Sequence, residues 1–469
     1  MRHPRFLLFT SLLVLPAHAL SAQSGVSDFG HARARELAAL GRLPTAAEIV
    51  VSDMGNYHRH RLPLPKAGEP IALDTRLDCG SAARGAEVWV QVGYTTGPLG
   101  DRALAAPAAV ALVVDTSGSM ADANKLSAVQ RGLHAFVDRL RPDDELALVT
   151  FSTEGRLEAP LQRRGDGRWL HDAIDRLRSG GNTNLHAGLM LGLDELGKAT
   201  TRTPHRRVVV LTDGIANNGV TDPQAILADA YRRAETTIDI STVGVGTSLD
   251  VTLLKKLATG CRGLFHFVAD GQDVQKVFVA EADALVSAVS RNLNLTIELE
   301  GGLRLQQALH EGARVLGDRV ELDLPDVNAG VTAVVMLRCR LEGDDLNRAV
   351  VRATLMHTPV AGGARESLGA WHVGCLAMPR GTSTPEASAA LDIEVRKNAA
   401  IVVLAQGLAD MALQCDARRW ADADRALQRA RDDAQRLFPG DDVDVQRVRD
   451  IHAGHHKTLR RYVDRFREF

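Results

Sequence analysis

The stretch Ala111-Leu112-Val113-Val114-Asp115-Thr116-Ser117-Gly118-Ser119-Met120 decides how this chain is read. A short apolar run ends abruptly in one acidic and two serine side chains around a glycine. A strand that is apolar on both faces is a buried parallel strand. Its polar end then lies at the carboxyl edge of the sheet, where open α/β sheets place their ligands. Asp115, Ser117 and Ser119 alternate in sequence, and Gly118 is expected to let the turn fold tightly, so three oxygen-bearing side chains converge. Oxygen donors at an open turn suit a hard divalent cation: Mg²⁺, with Mn²⁺ or Ca²⁺ as alternatives.

The pattern around this strand is a doubly wound, mostly parallel α/β sheet. Helical spacing runs from Leu126 to Leu140, and strands are expected at Leu146 to Phe151, Arg207 to Leu211, Ile238 to Val245 and Leu264 to Val268. Arg156 to Leu161 reads as a short edge strand. Helices are expected around Ile174, at Leu185 to Leu196, from Thr221-Asp222-Pro223, at Val251 to Ala258 and at Val274 to Val289. Strands alternating with helices give the α/β class. From Asn292 the pattern becomes short alternating strands broken by Gly, Asp and Asn, as in a β-sandwich. Strands at Ile71 to Asp78 and Glu87 to Tyr94 are its natural partners, which would make the α/β unit an insertion between two parts of one β-domain. Beyond Pro385 the chain is helical, as a small antiparallel bundle. The expected organisation is a signal peptide (1–22), an N-terminal lead-in with strands (23–106), the α/β domain (107–290), a β-sandwich-like domain (291–380) and a helical C-terminal region (385–469).

Arg2, His3 and Arg5 precede an apolar run, Phe6 to Pro16, and small residues follow at Ala17-His18-Ala19 and Leu20-Ser21-Ala22. That is the grammar of a secretory signal peptide, so an exported, periplasmic or secreted protein is expected, with no integral membrane span. The formal net charge of −2 provides no field for nucleic acid or an anionic membrane. Cys79, Cys261, Cys339, Cys375 and Cys415 are scattered without metal-type spacing. An oxidising compartment would permit one or two disulfides, leaving at least one thiol over. Ser52 to Arg61, Asp143-Asp144-Glu145 and the His452, His455 and His456 group, interrupted by Gly454, are read as solvated surface.

Two further loops bring oxygen ligands to the sheet edge of Asp115: Gly181-Asn182-Thr183-Asn184-Leu185 and Leu211-Thr212-Asp213-Gly214. The order Asp115-x-Ser117-x-Ser119, Thr183, Asp213 resembles the metal-ion-dependent adhesion site of the von Willebrand factor type A domain. The resemblance covers about Ala108 to Val289 and includes all five ligand positions. The wider architecture resembles exported bacterial proteins carrying this domain and, more distantly, inter-alpha-trypsin inhibitor heavy chains. The resemblance implies that Ser117 and Ser119 bind the metal by their hydroxyls and that Thr183 joins them in the ligand-engaged state. Asp115 and Asp213 would act through metal-bound waters. It further implies a metal-dependent protein-binding module, for adhesion or envelope assembly, whose open position takes an Asp or Glu of a partner protein. Two alternatives use the same cation: a metal-assisted hydrolase and a scaffold with a purely structural metal. No nucleophile elbow, His-Glu-x-x-His helix or Walker loop is present. No His or Lys is evident beside Asp115 to act as general base, so a non-enzymatic protein is expected.

Overall fold

The structure, a computed structural model, describes residues 27, 29–98, 107–200, 205–235, 237–246, 248–268, 274–342, 348–360, 364–378 and 391–467. The expected signal peptide, residues 1–22, lies outside them, as does the side chain of Cys375. The described chain enters through helices α1 (Phe29–Ala39) and α2 (Val51–Asn56) and strands β1 (Ile71–Leu77), β2 (Ser81–Ala83) and β3 (Glu87–Thr96). An α/β unit follows: β4 (Ala108–Asp115), α3 (Lys125–Arg139), β5 (Glu145–Phe151), β6 (Gly155–Arg163), α4 (Arg168–Asp175), α5 (Leu185–Leu196), β7 (His205–Thr212), α6 (Pro223–Ala234), β8 (Ile238–Val245), α7 (Val251–Gly260), β9 (Arg262–Val268) and α8 (Val274–Val286). The strands then resume with β10 (Ala288–Glu300), β11 (Leu303–Ala308), β12 (Arg314–Leu316), β13 (Arg319–Leu324), β14 (Val327–Asn328), β15 (Thr332–Leu341), β16 (Arg348–Pro359) and β17 (Glu366–Met378). Helices α9 (Ile393–Asp416), α10 (Trp420–Leu437) and α11 (Val443–Arg467) come last.

The α/β sheet has the order β6-β5-β4-β7-β8-β9 and is parallel except for the edge strand β6. Every residue of the central strand β4 is buried, because each sheet face carries its own layer of helices. Leu112 and Val114 face Phe136 of α3 and Phe278 of α8, and Ala111 and Val113 face α5 and α6. Helix starts follow local chemistry. Asp222 caps α6 by accepting the Ala225 N–H at 2.8 Å, with Pro223 in the first turn, and Asp250 caps α7 through the Leu253 N–H at 2.9 Å.

Two further sheets enclose a second core. One has the order β1-β3-β15-β11, the other β12-β13-β10-β16-β17-β2. β3, before the α/β unit, pairs along its length with β15, after it, from Glu87↔Arg340 to Thr95↔Thr332. The sandwich is therefore closed by segments on both sides of the α/β unit. Strand β17 was not anticipated in the sequence.

Several surface expectations are corrected. The Ser52 to Arg61 segment is not solvated surface: α1 buries Ala34, α2 buries Val51 and Met54, and Tyr57 just after α2 joins them in the core of the C-terminal bundle. His58 and His60 are buried there too, and His452, His455 and His456 are buried on α11, which runs straight through Gly454. Asp144 has no exposed surface. It anchors β4 by accepting the Ala108 N–H at 2.8 Å and pairs with Arg141. Glu145 is buried as well. Among the described residues, α9 is long and apolar enough to cross a membrane, but 67% of its most apolar window is buried inside the protein. Cys261 and Cys339 are buried thiols, and Cys415 is a half-buried one.

Candidate metal centre

β4 and β7 are parallel neighbours, with Val114 opposite Leu211. The chain leaves β4 toward β5 on one side and returns through β7 on the other. This reversal of strand order opens a crevice at the carboxyl ends, the general ligand position of such sheets. Asp115 ends β4, and Thr212-Asp213 ends β7.

Asp115 is fully buried. Its Oδ1 accepts the Ser117 backbone N–H at 2.8 Å, a local turn typical of Asp, and its Oδ2 accepts the Thr212 hydroxyl at 2.7 Å. Burial pushes the Asp115 carboxyl above its ordinary range, while the Thr212 and Ser117 donors pull the other way. The Ser117 and Ser119 hydroxyl oxygens stand 3.1 Å apart, and Ser119 Oγ donates to Asp213 Oδ1 at 2.7 Å. Asp115, Ser117, Ser119 and Asp213 thus form one hydrogen-bonded chain across the crevice.

Thr183 is brought to the same edge by a different set of contacts. Gly118 N–H donates to the Gly181 carbonyl at 3.0 Å, and Gly180 N–H to the Thr116 carbonyl at 2.8 Å. Thr183 N–H donates to Asn217 Oδ1 at 2.8 Å, and the Thr183 carbonyl accepts the Asn217 N–H at 3.0 Å. Its buried hydroxyl makes no hydrogen bond to the other four residues, so it borders the chain without joining it. The tight-turn role expected of Gly118 is not found. A Cβ there would meet only the Gly181 carbonyl, at an ordinary 3.5 Å. The glycine the site requires is Gly181, at φ +84°, where a Cβ would fall 2.7 Å from Thr153 Oγ1.

The expectation that no lysine lies near the site is also corrected. Lys125 Nζ donates to Asp213 Oδ2 at 2.7 Å. The chain between Ser119 and Lys125 folds as a 3-10 run that returns the first residue of α3 to the crevice. Thr212 and Asn217 are further residues the sequence reading passed over. A hydroxyl beside Asp213 and an amide shortly after it are the signals that could have found them.

The donor set fits a hard divalent cation. Every candidate ligand is an oxygen, and neighbouring oxygens around a Mg²⁺ ion lie about 3 Å apart, the spacing the two serine hydroxyls already have. An ammonium group already rests on Asp213, so the crevice accommodates positive charge. No group of three or more His, Cys, Asp and Glu side chains among the described residues is arranged to hold a metal.

The family model for the von Willebrand factor type A domain matches residues 109–280, from β4 into α8. The chain carries a von Willebrand factor type A domain. It is 28% identical over 240 residues to YfbK of Escherichia coli strain K12, covering 49% of this chain and 41% of that protein. Human inter-alpha-trypsin inhibitor heavy chain H3 is 25% identical over 242 residues, covering 48% of this chain and 27% of the heavy chain. The matches thus span less than half of the length of these relatives. Among solved structures, the von Willebrand factor type A protein from Catenulispora acidiphila aligns with a TM-score of 0.55 and 18% identity, over 83% of this chain and 89% of that one. The likeness of fold therefore reaches beyond the type A domain into the other layers.

Proposed function

We propose that the type A domain holds a divalent cation through the hydroxyls of Ser117, Ser119 and Thr183, with Asp115 and Asp213 acting through metal-bound water. Mg²⁺ is the expected ion. One coordination position is left for an Asp or Glu of a protein partner, so the chain acts as a metal-dependent binding module for adhesion or envelope assembly after export. The hydrogen-bonded chain from Asp115 through Ser117 and Ser119 to Asp213 carries this reading, because it gathers oxygen donors from two neighbouring strand ends. Uncharged direct ligands leave a bound cation electrophilic toward an incoming carboxylate. A non-enzymatic role is favoured because Lys125, the basic side chain at the site, is engaged by Asp213.

The test is capture from envelope extracts on the purified chain, with Mg²⁺ and with chelator, for wild type and Ser119→Ala. Partners retained only by wild type in Mg²⁺ would support the proposal. The same captured set in all conditions would overturn it. Ester or phosphoester turnover lost in Ser119→Ala would point to a hydrolase instead, and a chelator effect confined to thermal stability would point to a structural ion.

A further inference from the structure

We propose that Lys125 is a resident counter-cation of the crevice, weakening its hold on a bare divalent ion and making that hold depend on the arriving carboxylate. This rests on the metal-site reading above and adds a determinant of its affinity.

The placement of Lys125 is built by the fold. Gly118 to Asn124 form a 3-10 run, and Asn124 adopts a left-handed conformation at φ +57°. That reversal starts α3 at Lys125, whose own N–H is tied to the Asp122 and Met120 carbonyls. The lysine stem passes the end of β8, where a Cβ on Gly246 would lie 4.0 Å from Lys125 Cε. Nζ stands 2.7 Å from Asp213 Oδ2 and 3.5 Å from the Ser119 carbonyl oxygen. The Asp213 side chain has no exposed surface and that of Lys125 only 23%. Asp213 therefore divides its oxygens between two duties: Oδ1 faces the Ser119 hydroxyl and Oδ2 faces the ammonium.

Charge counting gives the consequence. Asp115 and Asp213 contribute two negative charges and Lys125 one positive, so the crevice carries one net negative charge. A divalent cation turns that into one net positive charge, and a partner carboxylate then restores neutrality. Without the ammonium, the divalent cation alone would reach neutrality. Two like charges sharing one carboxylate in a largely buried site repel, so Lys125 lowers intrinsic metal affinity, on the order of tenfold. The same excess positive charge draws the carboxylate, and by reciprocity the carboxylate tightens the metal.

The experiment is calorimetric titration of Mn²⁺ into the full chain for wild type, Lys125→Met and Lys125→Arg. Each titration is run in sodium chloride and in sodium acetate of equal ionic strength, with melting curves in chelator. Wild type and Lys125→Arg should bind Mn²⁺ weakly in chloride and more tightly in acetate. Lys125→Met should bind about tenfold tighter in chloride and lose most of the acetate effect. It should also melt lower than wild type in chelator, because Asp213 is left buried without its ion pair, and should recover on adding Mn²⁺. Equal or weaker Mn²⁺ binding by Lys125→Met, with wild type binding normally, would overturn this inference and leave the metal site standing. Absence of Mn²⁺ binding in all three proteins would overturn both. Should Lys125→Met fail to fold even with Mn²⁺, Lys125→Arg decides, since loss of its acetate dependence would also sink the idea.

Discussion

Thr212 shows how a residue next to a ligand supports it. Its hydroxyl donates to Asp115 Oδ2 at 2.7 Å while accepting the Gly214 N–H at 3.2 Å, so it links the ends of β4 and β7. Thr212→Val keeps the shape and removes the donor, leaving a buried carboxylate oxygen without its partner. The expected cost is about 1–3 kcal/mol of stability, read from urea unfolding in chelator, with weaker Mn²⁺ binding in calorimetry. Thr212→Ser should keep both near wild type. The five proposed ligands were legible because each occupies a strand end or loop that the hydrophobic pattern itself delimits. Lys125, Thr212 and Asn217 were not, because their roles depend on which loops the sheet order places side by side. A lysine opening a helix looks like any solvated lysine until the helix start is known to turn back on Asp213.

At the scale of elements, apolar periodicity located most strands and helices of the α/β unit, and Leu185–Leu196 was expected with the bounds that α5 has. How closely α5 lies on the sheet was not visible. It packs through Gly192, where a Cβ would fall 2.4 Å from Val113 Cγ2, and through Gly188, where one would fall 2.6 Å from the Phe151 ring. Gly192→Val should push α5 off β4, costing about 1–3 kcal/mol or more. Denaturant unfolding with Trp169 fluorescence would measure it, and an unchanged midpoint would contradict the packing account. Helix α11 teaches the converse. Gly454 was read as an interruption, yet glycine costs a helix only about 1 kcal/mol relative to alanine. Here the bare Cα lets α1 approach: a Cβ on Gly454 would lie 3.1 Å from the Ala38 Cβ.

For the whole molecule, the lead-in is a clasp. Phe29 stacks on Phe265 of β9 at 4.1 Å between ring centres, while Ala34, Met54 and Tyr57 join the core of α9, α10 and α11. The clasp is also where acid should act. Burial, with the nearby Lys397 charge, holds the His58 imidazole down at about 3, and burial, with His456, holds His452 at about 4. His60 and His455 are likewise depressed, chiefly by burial. These groups titrate near 6.5 when unfolded. Below that pH the unfolded chain gains protons that the folded one refuses, so stability is full above about 6.5 and falls as pH drops toward 4. Asp53 works in the opposite sense: burial and Glu311 raise it to about 7, so its contribution fades as pH rises from about 4 to 7. Within the clasp, four depressed imidazoles outweigh one raised carboxyl. Melting temperature should therefore fall between pH 7 and about 5, with Trp89, in the same core, reporting the loss. Asp53→Asn should raise the melting temperature at pH 8 and steepen the loss on the acid side. A second joint is ionic. Arg207 on β7 meets Asp239 and Glu281, each at 3.4 Å, in a nearly dry setting. Arg207→Met removes the cation the two carboxylates share, while Asp239 keeps Arg262 at 2.9 Å and Glu281 keeps His266 at 3.0 Å, so it should cost about 1–3 kcal/mol in denaturant unfolding. By itself the sequence determined the α/β class and the all-β and helical segments after it, and it singled out the five oxygen-bearing residues proposed as ligands, because hydrophobic period and loop chemistry are local properties. The sequence also anticipated that the strands before the α/β unit join those after it; tertiary structure alone decided that β3 takes β15 as its neighbour and in which register, that the polar lead-in and its histidines are core, and that Lys125 rests on Asp213. Those outcomes depend on which distant surfaces bury each other, and no local pattern encodes that choice.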